Sequence, residues 1–260
     1  MDIKIVVTGV NGRMGSTIAG LVQEDPAMEL AGVVERSDRL HGLEKFNCPI
    51  ADDLSEMLSR TGKCTVIDFT SPETSIEVAA ACSRNKASAV MGTTGFSSGQ
   101  LDRLEKLAAE APLFWAPNMS VGINVLLRLL PDLVKLLGEK YDLEIMEIHH
   151  KFKKDAPSGT ALKLAQVLAQ ARGLDLEANG VFSRKGIIGE REDTEIGIQT
   201  LRGGDVVGDH TVYFFGPGER IEVTHRAHSR ATFAQGAIRA AKWMLGKKPG
   251  RLYTMADMLT

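Results

Sequence analysis

Cysteine is scarce in this chain. Its three thiols, Cys48, Cys64 and Cys82, are an odd number with no C-x-x-C spacing. That argues against a disulfide framework or a structural zinc site and fits free thiols in a reducing cytoplasm. Long apolar runs are missing too: no stretch approaches the roughly 20 residues of a membrane span. The opening MDIKIVVTGV, in which Asp2 and Lys4 frame a short apolar run, is too brief for a signal peptide and leads into a glycine turn. Nor is there a surplus of one charge. Lys+Arg number 31 against 33 Asp+Glu, so neither nucleic acid nor an anionic membrane is expected as a partner, and any anion-binding patch must be local. No internal repeat and no low-complexity linker interrupts the 260 residues, which allow one large domain or two of moderate size.

What is present alternates between strand and helix over the first third. Ile3 to Thr8 is a β-branched run interrupted only by Lys4, as expected for a strand buried on both faces. A helical stretch follows through Ile18, Leu21 and Val22, and further strands are expected at Met28 to Glu35, Cys64 to Thr70, Ala87 to Met91 and Leu113 to Ala116. Ser71, Pro72 and Glu73 supply an N-cap, an N1 proline and an early acid for a helix to about Arg84, and Gln100 to Ala111 is amphipathic. The pattern is that of a doubly wound α/β sheet with right-handed crossovers. After about residue 120 it changes. A strongly apolar helix, Val121 to Leu137 with Pro131 marking a kink, leads to a strand at Tyr141 to Lys151 and a helix at Ser158 to Arg172. Strands recur at Glu195 to Leu201, Val206 to Phe215 and Glu219 to Ala227, before a last helix, Ala231 to Leu245. Such runs suggest an α+β second domain, with a binding site expected between the two.

The turn after the first strand reads Gly9-Val10-Asn11-Gly12-Arg13-Met14-Gly15. Glycines there allow a tight turn and let backbone N–H groups approach a pyrophosphate at the following helix N-terminus. The spacing is G-x-x-G-x-x-G, looser than the usual dinucleotide fingerprint, but Glu35 ends the next strand, where a carboxylate accepts bonds from ribose hydroxyls. Arg36 beside it either pairs with a 2′-phosphate, which predicts use of both NADH and NADPH, or is a solvated loop arginine. Gly92-Thr93-Thr94 and Ala116-Pro117-Asn118-Met119 follow strands and are expected to border the nicotinamide end. Asp68-Phe69-Thr70 holds a similar place but reads equally well as the start of a helix capped by Ser71.

The densest chemistry is Glu147-Ile148-His149-His150-Lys151-Phe152-Lys153-Lys154-Asp155-Ala156-Pro157-Ser158-Gly159-Thr160-Ala161. A basic run is usually a solvated face. This one ends an alternating strand, opens a helix with Pro-Ser-Gly-Thr, where backbone N–H groups and hydroxyls suit a carboxylate, and lacks the interleaved aromatics of a nucleic-acid surface. Arg230, at the start of the last helix, could hold a second carboxylate, whereas His225 and His228 read as structural histidines.

VTGVNGRMG, GTTGF, APNMSVGINVLL, EIHHKFKKDAPSGTA and THRAHSRATFAQGAIRAAKWM together resemble the dihydrodipicolinate reductase family, in its order and over nearly the whole chain. The resemblance implies a Rossmann-like, doubly wound dinucleotide-binding domain over 1–119, with 231–260 packing back on it. It implies an open mixed sheet for substrate binding and oligomerisation over 120–230, and a homotetramer assembled through that domain. By motif position His149 is similar to the family's proton donor or acceptor and Lys153 to its catalytic lysine. His150, Ser158, Gly159, Thr160 and Arg230 are similar to its substrate contacts. Gly9, Val10, Asn11, Gly12, Arg13, Met14, Glu35, Arg36, Gly92, Thr93, Thr94, Ala116, Pro117, Asn118 and Met119 are similar to its cofactor contacts. Phe152 stands where some members carry His and cannot share in proton transfer. The implied reaction is NADH- or NADPH-dependent reduction of a small dicarboxylated imine without a metal. Two other readings remain: a nucleotide-sensing regulator on a Rossmann scaffold, which has no use for His149 and Lys153, and a dehydrogenase of the aspartate-semialdehyde type, which needs a thiolate that none of the cysteines is placed to supply.

Overall fold

The computed structural model describes residues 3–260; Met1 and Asp2, including the framing role expected of Asp2, lie outside the described residues. The chain divides into two compact units, one formed by the residues up to Val121 with Arg230–Thr260, the other by Gly122–Ser229.

The first unit opens with β1 (Ile3–Thr8), α1 (Arg13–Glu24) and β2 (Met28–Val34). It continues through β3 (Ile50–Ala51), α2 (Leu54–Thr61), β4 (Thr65–Asp68), α3 (Pro72–Asn85), β5 (Ser88–Met91), α4 (Ser98–Ala108) and β6 (Leu113–Trp115). The second unit holds α5 (Val121–Leu137, its first residue in the first unit), β7 (Asp142–His149), α6 (Gly159–Arg172), α7 (Leu176–Asn179), β8 (Gly180–Val181), β9 (Ile196–Arg202), β10 (Gly208–Gly216) and β11 (Glu219–Ala227). α8 (Ala231–Trp243), β12 (Leu252–Tyr253) and α9 (Met255–Met258) belong to the first unit again.

All pairings of the first sheet are parallel, in the order β12-β6-β5-β4-β1-β2-β3. Its apolar runs are continuous because both faces are covered. Ile5, Val7, Ile67, Val90 and Phe114 enter one core with Ile18 of α1 and Ala237 of α8, while Val6, Val66, Ala89 and Met91 enter another with Met57, Ile76 and Leu104 of α2, α3 and α4. Capping follows local chemistry: Ser71 Oγ accepts from the Thr74 amide at 3.3 Å ahead of Pro72, and Ser97 and Gln100 close a capping box on α4. The strand expected to run to Thr70 stops at Asp68, since Phe69 leaves it to lay its ring against Gly92, where a Cβ would come within 2.1 Å. β3 and β12, two residues each, have no pattern of their own, whereas α2 is capped by Asp53, whose side chain accepts from the Glu56 amide at 2.9 Å. α8 abuts the loop after β6 through Gly236, where a Cβ would lie 1.8 Å from the Met119 carbonyl oxygen.

The second sheet is mixed, β11-β10-β7-β9-β8, with β7–β9 and β8–β9 parallel and the other pairs antiparallel. Leu143, Ile145, Glu147 and His149 share one buried face of β7. Leu143 and Ile145 join Ile196, Ile198, Val212 and Phe214 in a core with Leu130 and Val134 of α5 and Leu164 and Leu168 of α6. Pro131 lies inside α5, which runs on to Leu137.

Candidate active site

In the first unit a cavity of about 750 Å³ is lined by Gly9, Gly12, Glu35, Arg36, Arg39 and Thr70, among others. Gly9 takes φ +62°, open to glycine at no steric cost, and Gly15 lets α1 press on the turn: a Cβ there would lie 2.3 Å from the Gly9 carbonyl oxygen. Several turn amides are already used. The Gly9 N–H donates to Val34 O and the Gly12 N–H to Gly9 O, both at 2.9 Å, and the Asn11 N–H donates to Glu35 Oε2 at 3.0 Å. Glu35 Oε1 accepts the Arg36 N–H, also at 3.0 Å, so this 9% exposed carboxylate clamps the glycine turn to the end of β2. Gly12 caps α1 with no side chain, which leaves the first-turn amides open to an anion. Val10 is fully buried and Met14 packs on the core. The Arg36 guanidinium is exposed and pairs with Asp38 at 3.1 Å. This uncapped turn, with the Glu35 carboxylate at the rim of the cavity beside it, fits a dinucleotide's pyrophosphate and ribose.

Gly92-Thr93-Thr94 and Ala116-Pro117-Asn118-Met119 sit at the C-terminal ends of β5 and β6, outside the residues lining that cavity. Trp115 Nε1 donates to Thr93 O at 3.0 Å and the Ala116 N–H to Met91 O at 3.1 Å, which ties the two loops together. Thr94 and Pro117 are exposed, and Asn118 Oδ1 accepts the Ser120 N–H at 2.8 Å. Sequence reasoning undervalued Asp68. It is fully buried and its carboxylate accepts the hydroxyls of Thr8 (2.6 Å), Thr70 (2.7 Å), Thr93 (3.1 Å) and Ser75. One carboxylate thus pins the ends of β1, β4 and β5. Arg39, also missed, gives its carbonyl to Asn11 Nδ2 at 2.7 Å.

In the second unit the expected cluster is brought together around Glu147, to which no role was given. His149 is 9% exposed and its Nδ1 lies 2.6 Å from Glu147 Oε2. Glu147 Oε1 accepts the Ser158 N–H at 2.9 Å, and both oxygens face Arg202. Ser158 caps α6 by accepting from the Ala161 N–H at 3.1 Å, and its Oγ lies 3.1 Å from His210 Nε2. Ser158 is 2% exposed, whereas Gly159 is exposed with nothing near its Cα side. Thr160 lies on the first turn of α6. His150 donates its N–H to Val206 O at 2.8 Å, and its Nδ1 is buried with no partner. Lys153 Nζ is held 2.9 Å from Asp155 Oδ1, and Phe152 is 74% exposed. Arg230 belongs to the first unit, at the N-cap of α8. Among the described residues no His, Cys, Asp and Glu cluster with a metal-ligand arrangement was found.

The signal for Glu147 was in the strand, a carboxylate at a core-facing parity position; Arg202 and His210 sit on other strands with no local sign. Burial pushes the His210 imidazole from 6.5 down to about 3, aided by His149. Burial would raise the Glu147 carboxyl, but hydrogen bonds from His149, Arg202 and the Ser158 amide outweigh it and hold it at about 2. Both shifts make the fold acid-sensitive. As pH falls below 6.5 the unfolded chain protonates His210 and the native one does not until about 3, and between 4.5 and about 2 the same holds for Glu147. Each group therefore lowers stability as pH falls through its window. Urea unfolding should therefore show a decline from pH 6.5 to 4 that is flatter in His210→Gln; an equal slope would contradict a neutral buried His210.

The dihydrodipicolinate reductase N-terminal family model matches residues 3–119 and the C-terminal one residues 122–259. The chain is 59% identical over 259 residues to a protein of Oleidesulfovibrio alaskensis named 4-hydroxy-tetrahydrodipicolinate reductase, covering 100% of both, and 50% identical to one so named from Lawsonia intracellularis, again covering 100% of both. Among solved structures it is similar to a dipicolinate-bound dihydrodipicolinate reductase from a Paenisporosarcina species (TM-score 0.79, 25% identity, 100% of both chains). A probable dehydrogenase from Thermotoga maritima (TM-score 0.62, 15% identity, 98% and 92% covered) shares the fold alone.

Proposed function

The chain belongs to the dihydrodipicolinate reductase family, and from that membership we propose that it reduces 4-hydroxy-tetrahydrodipicolinate to tetrahydrodipicolinate in lysine and diaminopimelate biosynthesis. The observation that carries this reading is the end of β7, where one short stretch supplies a buried imidazole, an ammonium and a helix start capped by Ser158. The substrate's hydroxyl leaves as water; NADH or NADPH supplies the hydride and a side chain the proton, so the charge balances.

The protein's part is geometry and charge. The first-turn amides of Arg13 and Met14, with Gly9 and Gly12 giving close approach, would hold the pyrophosphate, and Glu35 the ribose. Gly92 to Thr94 and Ala116 to Met119 would border the nicotinamide. The α6 start at Gly159 and Thr160 and the orphan His150 Nδ1 would orient the substrate carboxylates, with Arg230 for the second. Lys153 and His149 would quench the electron density that hydride addition pushes onto the ring. Ser158, whose hydroxyl caps α6, would contact the substrate beside them.

Arg36 beside Glu35 supports use of both cofactors. The ratio of kcat/KM for NADH and NADPH should stay below about a thousandfold, since more would mean several kcal/mol of discrimination. The test is oxidation of each at 340 nm, with substrate generated in situ from pyruvate and aspartate semialdehyde. No turnover from folded protein that still binds cofactor would sink the reading and favour a nucleotide sensor. A cytoplasmic location accords with the free thiols, and no helix among the described residues is long and apolar enough to cross a membrane. A homotetramer built through the second sheet is supported by its other face, where Met146, Ile148 and Tyr213 are half-buried and Leu201 is 44% exposed. Light scattering that gave a monomer would refute it.

A further inference from the structure

A carboxylate removed from water is destabilising unless it is balanced, and a well-packed apolar pair would usually serve stability as well. Glu147 is nevertheless fully buried, and Arg202 balances it with two parallel bonds, Nη1 to Oε2 and Nη2 to Oε1, each 2.8 Å. This pair reaches three features at once: His149 Nδ1 at 2.6 Å, the Ser158 amide at 2.9 Å and, from Arg202 Nη2, the Asp155 carbonyl at 2.8 Å. It therefore fixes the imidazole, the start of α6 and the loop that carries Lys153. On its other side the His149 ring meets His210 edge-on, centroids 5.2 Å apart at 77°. Its Nε2 lies beside Gly208, where a Cβ would come within 2.9 Å, so the absence of a side chain keeps room at that nitrogen.

We propose that Glu147, charge-balanced by Arg202, is the positioning residue of His149: it accepts the hydrogen on Nδ1 and so leaves Nε2 as the nitrogen that exchanges a proton with substrate. The proposal rests on the reductase reading, which gives His149 a proton to exchange. The carboxylate makes no substrate contact; it sets the tautomer and stops the ring from turning.

Glu147→Gln alone strands the Arg202 charge, so Glu147→Gln/Arg202→Gln, which removes both charges together, is measured beside it. Each should lower kcat about 10- to 100-fold with substrate KM within about threefold, the signature of a loss confined to the chemical step. In a His149→Ala background the same changes should add less than about twofold, because groups that act as a unit are not additive. Full additivity, or a loss carried by KM, is what a structural role in holding α6 would give and overturns the proposal; so does unchanged turnover. Gly208→Ala, at a position without positive φ, crowds Nε2 from the opposite side and should lower kcat even if neither acidic-site variant folds; unaltered kcat there also refutes it. Absence of turnover in the unsubstituted protein is a distinct result: it removes the reductase reading itself.

Discussion

Lys153→Ala should lower kcat by at least about 10² while the dissociation constant for NADH stays within about twofold of the unsubstituted value. The Lys153 side chain is 20% exposed, its ammonium is held by Asp155 at 2.9 Å, and its backbone N–H donates to the His150 carbonyl at 3.1 Å. The charge is thus placed by the loop before substrate arrives, which spares reorganisation during the reaction. Absorbance at 340 nm gives turnover and quenching of protein fluorescence gives cofactor affinity. Wild-type-like turnover would remove Lys153 from the mechanism. A loss of cofactor affinity of the same size would mean that the substitution had disturbed the fold and not the chemistry.

Gly15→Ala should weaken cofactor binding by about ten- to a hundredfold, in line with the roughly 1–3 kcal/mol that overpacking costs. A Cβ at this position would meet the Gly9 carbonyl oxygen at 2.3 Å and Val10 Cα at 2.8 Å, both backbone atoms of the turn, so no side chain can step aside. Relief requires α1 to move away from β1, which carries the uncapped first-turn amides out of place. Titration of NADH against the folded variant measures the loss. Gly20→Ala, on the same helix with open space at its Cα, is the control and should bind normally. Equal affinity in both variants would show that the turn tolerates a shift.

The doubly wound first sheet was legible because each of its longer strands is a short apolar run between turn residues, and because Ser71 and Pro72 announce a helix by stereochemistry alone. The candidate site was legible where it is contiguous: His149, His150 and Lys153, proposed to act together, lie within five residues of one another. What escaped was whatever depends on a neighbour brought from elsewhere. Nothing beside Ser158 announces His210, which lies 3.1 Å from its hydroxyl. Asp68 reads as part of a helix start until hydroxyls from three other elements converge on it. Arg39 carries no pattern because its contact with Asn11 is made through a backbone carbonyl.

By itself the sequence determined the local conformations: the φ +62° turn at Gly9, the caps of α3 and α6, the alternation along β7. Those follow from interactions a few residues long, which the chain carries wherever it folds. The tertiary structure decided which charges are buried together. Glu147 and Arg202 are 55 positions apart and meet because β7 and β9 pair in parallel, with Glu147 opposite Thr200 and His149 opposite Arg202. A register shifted by one residue would turn every side chain of β9 to the other face and leave the Glu147 carboxylate without its counter-charge. Only the packed sheet fixes that register, since burial of Ile196 and Ile198 against α6, not any feature near Arg202, selects it.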